Sequence, residues 1–408
     1  MTDPAAFPTR ISLDEALAIV RTVAARNLLG PEQVPTSRAD GRVLAADVVA
    51  PVALPAFDNS AMDGFALRHA NLAANAPTSL ELAGEQFAGR DLGLVLGPGQ
   101  CARITTGAPL PQGADTVLIK ENATVADGRV EVPAGLAPGA NIRRRAEDVE
   151  AGDVVLRAGQ VLTPARIGLA ASLGIDRLPV AARPTVAVFA SGDELVEPGL
   201  PLQPGQVYNS NRDLLMAQLR ALGLEPVAWP TLPDDPARIE AVLGDAVESF
   251  DLILTCGGVS AGEKDHLPRW LQAHGRIHFW KVRMRPGMPL LFGEAGRARV
   301  LGLPGNPVSV LATFTVFGRE LLDGLQGRGE ARPRWRARLA APWRKRHERL
   351  EFLRGQLFQD GDAALQVQPN PADGSHRLCA AAHSDVLIVL EEGARDYAAG
   401  ELVEVLPL

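Results

Sequence analysis

The spacing of apolar positions changes character repeatedly along the chain. In "SLDEALAIVRTVAARN", from Ser12, apolar residues recur at helical spacing. Ser12 is placed as N-cap, with Glu15 three residues on as its capping-box partner. "GRVLAADVVAPVALPAF" then reads as extended and ends in prolines. Residues 80–139 are short apolar stretches cut by Gly and Pro, with no surviving helical period, which predicts a small β domain. "NIRRRAEDVEAGDVVLRAGQVL" is extended and highly charged. "TPARIGLAASLGI" reads as a short helix with Thr163 as cap and Pro164 in the first turn.

After Pro184 the texture changes. "TVAVFA" is a buried strand, and "NSNRDLLMAQLRALG" a helix closed by Gly223. "EPVAWPTL", "DPARIEAVLGDAVESF", "DLILT" and "HLPRWLQAHG" continue the alternation of strand and helix. "IHFWKVRM", "PLLFGE" and "RVLGLPG" follow, then the helix "PVSVLATFTVFGRELLDGL". Strands alternating with helices predict βαβ units and a mostly parallel sheet covered on both faces. From about residue 327 the chain is basic and β-like again. The expected fold is therefore multidomain, α/β plus β. An extended linker domain takes residues 1–50 and 140–180, a small β domain 51–139, an α/β sandwich domain 181–326 and a β-barrel-like domain 327–408.

Composition narrows the class. With 408 residues, 46% hydrophobic and 22% charged, the chain has an ordinary globular balance, and its length fits several domains. A net charge of −7 argues against a general nucleic-acid binder, and 5% aromatics against base-stacking platforms. The basic run at Arg344, Lys345 and Arg346 reads as a solvated face. Cys101, Cys256 and Cys379 are far apart and form no zinc spacing, which fits a reducing compartment. "MTDPAAFPTR" has no signal-peptide pattern, and no apolar run reaches membrane-helix length, so a cytoplasmic protein without membrane contact is expected.

In an open α/β sheet, ligands bind beyond the carboxyl ends of the strands. Four segments lie there. "ASGDELVEPG" brings Ser191, Gly192, Asp193 and Glu194. "CGGVSAGEKD" brings Gly257, Gly258, Ser260 and Asp265, where glycines allow a tight turn and backbone N–H groups can cradle an anion. "GLPGNPVS" supplies a rigid Pro304, Gly305, Asn306, Pro307 loop before a helix. "PTLPDDP" leaves Asp234 and Asp235 at a helix start, where Asp235 before Pro236 also reads as a plain N-cap. Glu194, Asp234 and Asp265 are expected on one edge. Carboxylates gathered so need a hard cation or cationic groups to offset them. Lys281 and Arg285 are close in sequence. The expected ligand is anionic and phosphorylated, held with a divalent metal such as Mg²⁺.

"PAFDNSAMDGFALR", "ITTGAPLPQGAD", "NIRRRAEDVEAGD", "SGDEL", "CGGVSAGEKD", "RPGMP" and "GLPGNPVS" together resemble, in order, the molybdopterin molybdenumtransferases, the MoeA family, to which gephyrin's carboxy-terminal part is related. The resemblance runs from about residue 8 to the end. It implies an elongated homodimer of four-domain subunits. It also implies insertion of molybdate into adenylylated molybdopterin, with Mg²⁺-dependent release of AMP. The active cleft would lie between the α/β domain of one subunit and the small β domain of its partner. By motif, Asp63 and Thr106 correspond to cleft residues of the small β domain, and Arg143 and Asp148 to polar positions of the same site. Glu194, Asp234 and Asp265 correspond to the carboxylates that hold metal, Lys281 to a cleft lysine, Pro304 and Pro307 to paired prolines, and Ser375 to a serine of the last domain. Implied partners are the pathway's adenylyltransferase and apo-molybdoenzymes or their chaperones.

One stretch departs from the family pattern. Where the family reads roughly Lys-Pro-Gly-Lys-Pro, this chain has "RPGMP". Arg285 keeps a charge and Met288 loses one, which is expected to weaken anion binding or shift the load to Arg283. Lys264 and His266 around Asp265 also fall outside the pattern, and His266 reads as a capping or surface histidine. The alternatives are an adenylyltransferase-like nucleotide enzyme on the same α/β domain and a non-catalytic gephyrin-like scaffold.

Overall fold

The computed structural model describes residues 7–232, 235–259, 266–359, 361–362 and 364–408. A seven-stranded sheet runs in the order Thr9–Ile11, Gly275–Val282, Leu291–Ala295, Ala298–Leu303, Leu252–Cys256, Val186–Ala190, Val227–Ala228. The last four are mutually parallel. Leu291–Ala295 is the antiparallel return of a hairpin on both its sides. The strands Val186–Ala190 and Leu252–Cys256 are buried at every position, as strands covered on both faces must be. Phe279, Phe292, Phe314 and Phe317 fill one face of the sheet and Phe189, Leu243, Ile253 and Leu271 the other. Each such side chain contributes about 1.5–3 kcal/mol by leaving water.

The helix predicted from Ser12 is present over Leu13–Arg26, and Glu15 N donates to Ser12 Oγ at 3.2 Å. Its apolar face, Ala16, Leu17, Val20, Val23 and Ala24, joins the core of the α/β sheet. Thr9–Ile11 pairs in parallel with Gly275–Val282. The first part of segment 1–50 therefore packs on the α/β unit rather than on the extended one. The apolar stripe is the same in either placement; only the partner face differs.

The extended unit is held by short antiparallel pairings: Pro31–Pro35 with Arg177–Ala181, Val48–Val49 with Val154–Leu156, and Asn59–Ser60 with Ile142–Arg143. Its helix, Pro164–Ser172, starts as expected, with Thr163 accepting from Arg166 N. The small β domain is a six-stranded sheet in the order Thr116–Ile119, Gly64–Leu67, Gln100–Ile104, Thr78–Gln86, Arg129–Val132, Thr124–Ala126. Phe65, Leu67, Leu80, Cys101, Leu118 and Val130 form its core.

In the C-terminal unit Leu350–Gln359 pairs with Leu365–Pro369 on one side and Val386–Leu390 on the other. Through Trp335–Leu339 and Leu402–Pro407 the ladder closes into a barrel without free edges. Met284–Arg285, a continuation of the α/β domain's own hairpin, adds in parallel to Leu350–Gln359. The helix predicted from Pro307 is interrupted by a π turn over Phe314–Gly318 before resuming at Arg319–Leu325. Gly318 makes room there: a Cβ on it would come within 2.4 Å of the Phe314 ring.

Candidate active site

Two groups of predicted residues are assembled, one on the small β domain and one on the α/β edge. On the first, Asp63 follows the turn "FDNSA". Ser60 Oγ donates to Met62 O at 2.6 Å, and Asn59 Nδ2 to Phe57 O at 3.2 Å, so the turn is held by its own short polar side chains. Gly64 is required next: a Cβ there would stand 1.8 Å from the Leu118 carbonyl oxygen. Thr106 donates to Asp63 Oδ1 twice, from its amide at 2.8 Å and its hydroxyl at 2.9 Å. Lys120 Nζ lies 3.6 Å from Asp63 Oδ2. These donors hold the Asp63 carboxyl below the usual carboxylate range, the Thr106 amide contributing most and its hydroxyl next. Asp63 is thus an anion at neutral pH and acts as an acceptor.

Arg143 and Asp148 lie exposed on the segment that runs beside this turn. Arg143 pairs through its backbone with Asn59. The neighbouring arginines are committed elsewhere: Arg144 Nη1 donates to Asp58 Oδ2 at 2.8 Å and Arg145 Nη2 to Glu150 at 3.0 Å. Among the described residues Arg143 and Asp148 share no hydrogen bond or ion pair with Asp63 or Thr106.

A Thr106→Val variant tests the ionised Asp63. It removes one donor and keeps the amide, so the carboxyl should move up toward its ordinary range. Because a lowered pKa keeps the group charged into acid, the acid limb of the kcat/KM profile should shift to higher pH. An unmoved limb would mean that Asp63 ionisation is not what activity needs.

On the α/β edge, three strand-end turns meet. Ser191 N donates to Cys256 O at 3.1 Å, and Gly257 N to Leu303 O at 3.0 Å. Gly257 and Gly258 both have left-handed φ, +89° and +69°, and a Cβ on either would press on Ser191 Oγ at 3.2 and 3.1 Å. Gly305 lies against Gly257 Cα, and Asn211 Nδ2 holds the Gly305 carbonyl at 2.6 Å. The Glu194 carboxylate folds back over Gly192 (φ +139°), where a Cβ would collide with it at 2.5 Å. Asp235 is the N-cap of Pro236–Ser249, accepting from Ala237 N at 3.0 Å.

The barrel reaches this edge. Asn306 Nδ2 donates to Ser375 Oγ at 3.0 Å, and Val308 N to Ser375 O at 3.1 Å. Arg354 holds the loop behind Ser375 by donating to the carbonyls of Ala372 and Gly374. Sequence reasoning missed Arg354; its signal was a lone arginine inside the apolar run "LEFLRGQLF". Lys120, also missed, gives no such signal, being a surface lysine with no motif around it.

Lys281 is the second residue to stand out. It has φ +72° inside a strand, its N donates to Leu290 O at 2.7 Å, and its Nζ sits 4.6 Å from the Trp280 ring centroid. Trp280 Nε1 in turn donates to Val259 O at 2.8 Å, tying the glycine turn to the lysine's strand. Arg285, expected to attract the ligand, is already paired, with Asp373 at 2.7 Å and Glu351 at 3.6 Å. Arg283 is likewise paired, with Glu392 at 3.3 Å. Asp234, Ser260 and Asp265 lie outside the described residues, as does Lys264. Among the described residues no group of three or more His, Cys, Asp or Glu could hold a metal, and Glu194 is the one carboxylate of the expected set that is placed.

A mixed, mostly parallel sheet whose carboxyl edge is lined by backbone turns characterises this α/β domain, and residues 187–324 match the family described as "Probable molybdopterin binding domain". Residues 11–174 match the MoeA N-terminal region (domain I and II), and residues 336–408 the MoeA C-terminal region (domain IV). The chain is 38% identical over 379 residues to a molybdopterin molybdenumtransferase of Haemophilus influenzae, covering 92% of this chain and 93% of that protein. It is 40% identical over 389 residues to molybdopterin molybdenumtransferase 2 of Mycobacterium tuberculosis, covering 93% and 95%. A crystal structure of the molybdopterin biosynthesis moeA protein from Pyrococcus horikoshii OT3 superposes with TM-score 0.83 at 27% identity, covering 98% of this chain and all of that one. The chain belongs to the molybdopterin molybdenumtransferase (MoeA) family.

Proposed function

We propose that this protein inserts molybdate into adenylylated molybdopterin and releases AMP. One observation carries the reading: the turns Ser191–Gly192, Gly257–Gly258 and Pro304–Pro307 converge on one sheet edge and are closed by Ser375 of the barrel. Such an edge lets an anion approach bare backbone, with Lys281 nearby to attract it. Glu194 offers the oxygen donor that Mg²⁺ prefers, and Asp234 and Asp265 would complete the set. A bound Mg²⁺ would neutralise charge building on the anhydride as it is cleaved. Asp63, held ionised by Thr106, serves as an acceptor for a substrate proton or hydroxyl. Among the described residues no hydrogen bond or ion pair joins Asp63 or Thr106 to the α/β edge. That separation fits a homodimer in which each cleft is closed by the partner's small β domain.

Purified protein given adenylylated molybdopterin, molybdate and Mg²⁺ should release AMP and reconstitute an apo-molybdoenzyme, and a chelator should stop both. No AMP release would overturn the reading. Asp63→Asn and Glu194→Gln should each be inactive alone, at least about a hundredfold down. Mixed and allowed to exchange subunits, they should regain activity, because one cleft of the hybrid is intact. A mixture that stays silent would place both halves of the site in one chain.

A further inference from the structure

The hairpin turn around Met288 is surrounded by cations, and most are already committed. Arg283 meets Glu392 and donates from Nη1 to Arg10 O at 3.1 Å. Arg285 is held by Asp373 and by Glu351, which is 3% exposed and also faces His347 Nε2 at 3.4 Å. Lys345 is buried and donates to the carbonyls of His347 and Gly393, both at 2.7 Å. Arg354 is spent on Ala372 and Gly374.

Arg349 differs. It precedes the strand that pairs Leu350 with Met284 and Glu351 with Arg285, and Leu350 N donates to Arg283 O at 3.2 Å. The backbone thus sets Arg349 beside the hairpin, with its Nη1 3.9 Å from Met288 Sδ. A thioether is a neutral and weak acceptor, and it cannot offset a guanidinium. Among the described residues Arg349 makes no ion pair, although it is half-buried. Met288 O accepts from Val282 N at 2.9 Å, next to Lys281, whose ammonium likewise makes no ion pair among the described residues. Among the described residues one half-buried guanidinium without a counter-charge therefore stands against an uncharged side chain, an arrangement that a bound oxyanion completes.

We propose that Arg349 is a substrate-binding residue that takes an oxyanion at the Met288 hairpin, supplying the charge which the methionine does not. This rests on the function proposed above. The shared chemistry is a tetrahedral oxyanion, with two sources: molybdate, or a phosphate of the adenylylated molybdopterin.

The test uses full-length protein and four variants: Arg349→Ala, Arg349→Lys, Met288→Lys, and Arg349→Ala combined with Met288→Lys. Arg349→Ala should raise KM for one of the two substrates about tenfold and change kcat less than about twofold, as expected for one lost charge-assisted contact. The substrate whose KM moves identifies the oxyanion. Arg349→Lys should sit between wild type and Arg349→Ala. The double variant should recover most of the lost affinity, because a lysine at 288 returns the charge from the other side of the contact. Unchanged KM values in Arg349→Ala, or a double variant no better than the single one, would overturn the proposal. Should wild type release no AMP, the function assignment falls by itself. Arg349 is then tested by equilibrium titration with molybdate and with inorganic phosphate: weaker binding of either to Arg349→Ala supports the subsite, and equal binding of both removes it.

Discussion

A Lys281→Gly variant is expected to unfold at a higher temperature than a Lys281→Ala variant, while neither releases AMP. Lys281 sits at φ +72° within Gly275–Val282, a conformation that costs a residue with a Cβ about 1–2 kcal/mol. Alanine keeps that cost and glycine removes it. Glycine gives back about 0.5–1 kcal/mol through its freer unfolded chain, so the net gain over alanine is at most about 1.5 kcal/mol. Both variants lose the ammonium over the Trp280 ring, so that contact cancels in the comparison. Activity should fall at least about a hundredfold in both, because the ammonium at the sheet edge is gone. Thermal scans and AMP release check the two halves. Alanine melting above glycine would show that the strain of the left-handed turn is smaller than the entropic penalty of glycine. The backbone irregularity would then be dictated by packing and not retained for the site.

Arg354→Ala is expected to be the most destabilising single change near the site. Arg354 is among the largest side chains in the protein that are wholly buried, and burial pulls its pKa down from the ordinary arginine range. It donates to two loop carbonyls, at Ala372 and Gly374. Removing it leaves the Ala372 carbonyl without that donor and Gly374 O with the Arg377 amide alone, and opens a cavity, a loss of about 2–5 kcal/mol. The freed loop carries Ser375, whose hydroxyl and carbonyl hold Asn306 and Val308. Turnover should therefore fall with stability, and trypsin should cut faster after Arg377, which is already exposed but held by the ordered loop. Arg354→Lys, with one ammonium for two carbonyls, should lie between. Denaturant unfolding and limited proteolysis decide: an Arg354→Ala protein as stable and protease-resistant as wild type would show that the clamp does not hold this loop.

Local signals in the sequence translated well into local structure. The Ser12 cap, the Thr163–Pro164 start, the strand-to-helix alternation after Pro184 and the strand-end glycines all depend on neighbours a few residues apart. What stayed hidden depends on distant partners. An apolar stripe at Ala16, Leu17, Val20 and Val23 shows that the first helix packs, but not that its partner is a sheet formed mostly after residue 186. The barrel closes only because Leu350–Gln359 finds Val386–Leu390. The charge reading was least legible. Arg285 looked available until Asp373 and Glu351 were seen beside it, and Arg349 drew no notice until it was seen against Met288. Free and committed arginines are spelled the same way, and only their counter-charges tell them apart. Lys281 gave no hint of its backbone, since lysine seldom takes a left-handed φ.

Met284–Arg285 leaves the α/β sheet and is stitched into the barrel beside Leu350, while Thr9–Ile11 and the helix after it return from the start of the chain to the same margin, pairing with Gly275–Val282. Residues 181–326 are consequently not a self-contained cassette. Transplanted alone into another protein, that segment would expose the bare flank of Gly275–Val282 and a dangling ribbon at Arg285, two sticky seams inviting intermolecular strand addition. Gene fusions or domain shuffling that respect this architecture must carry both chain ends along.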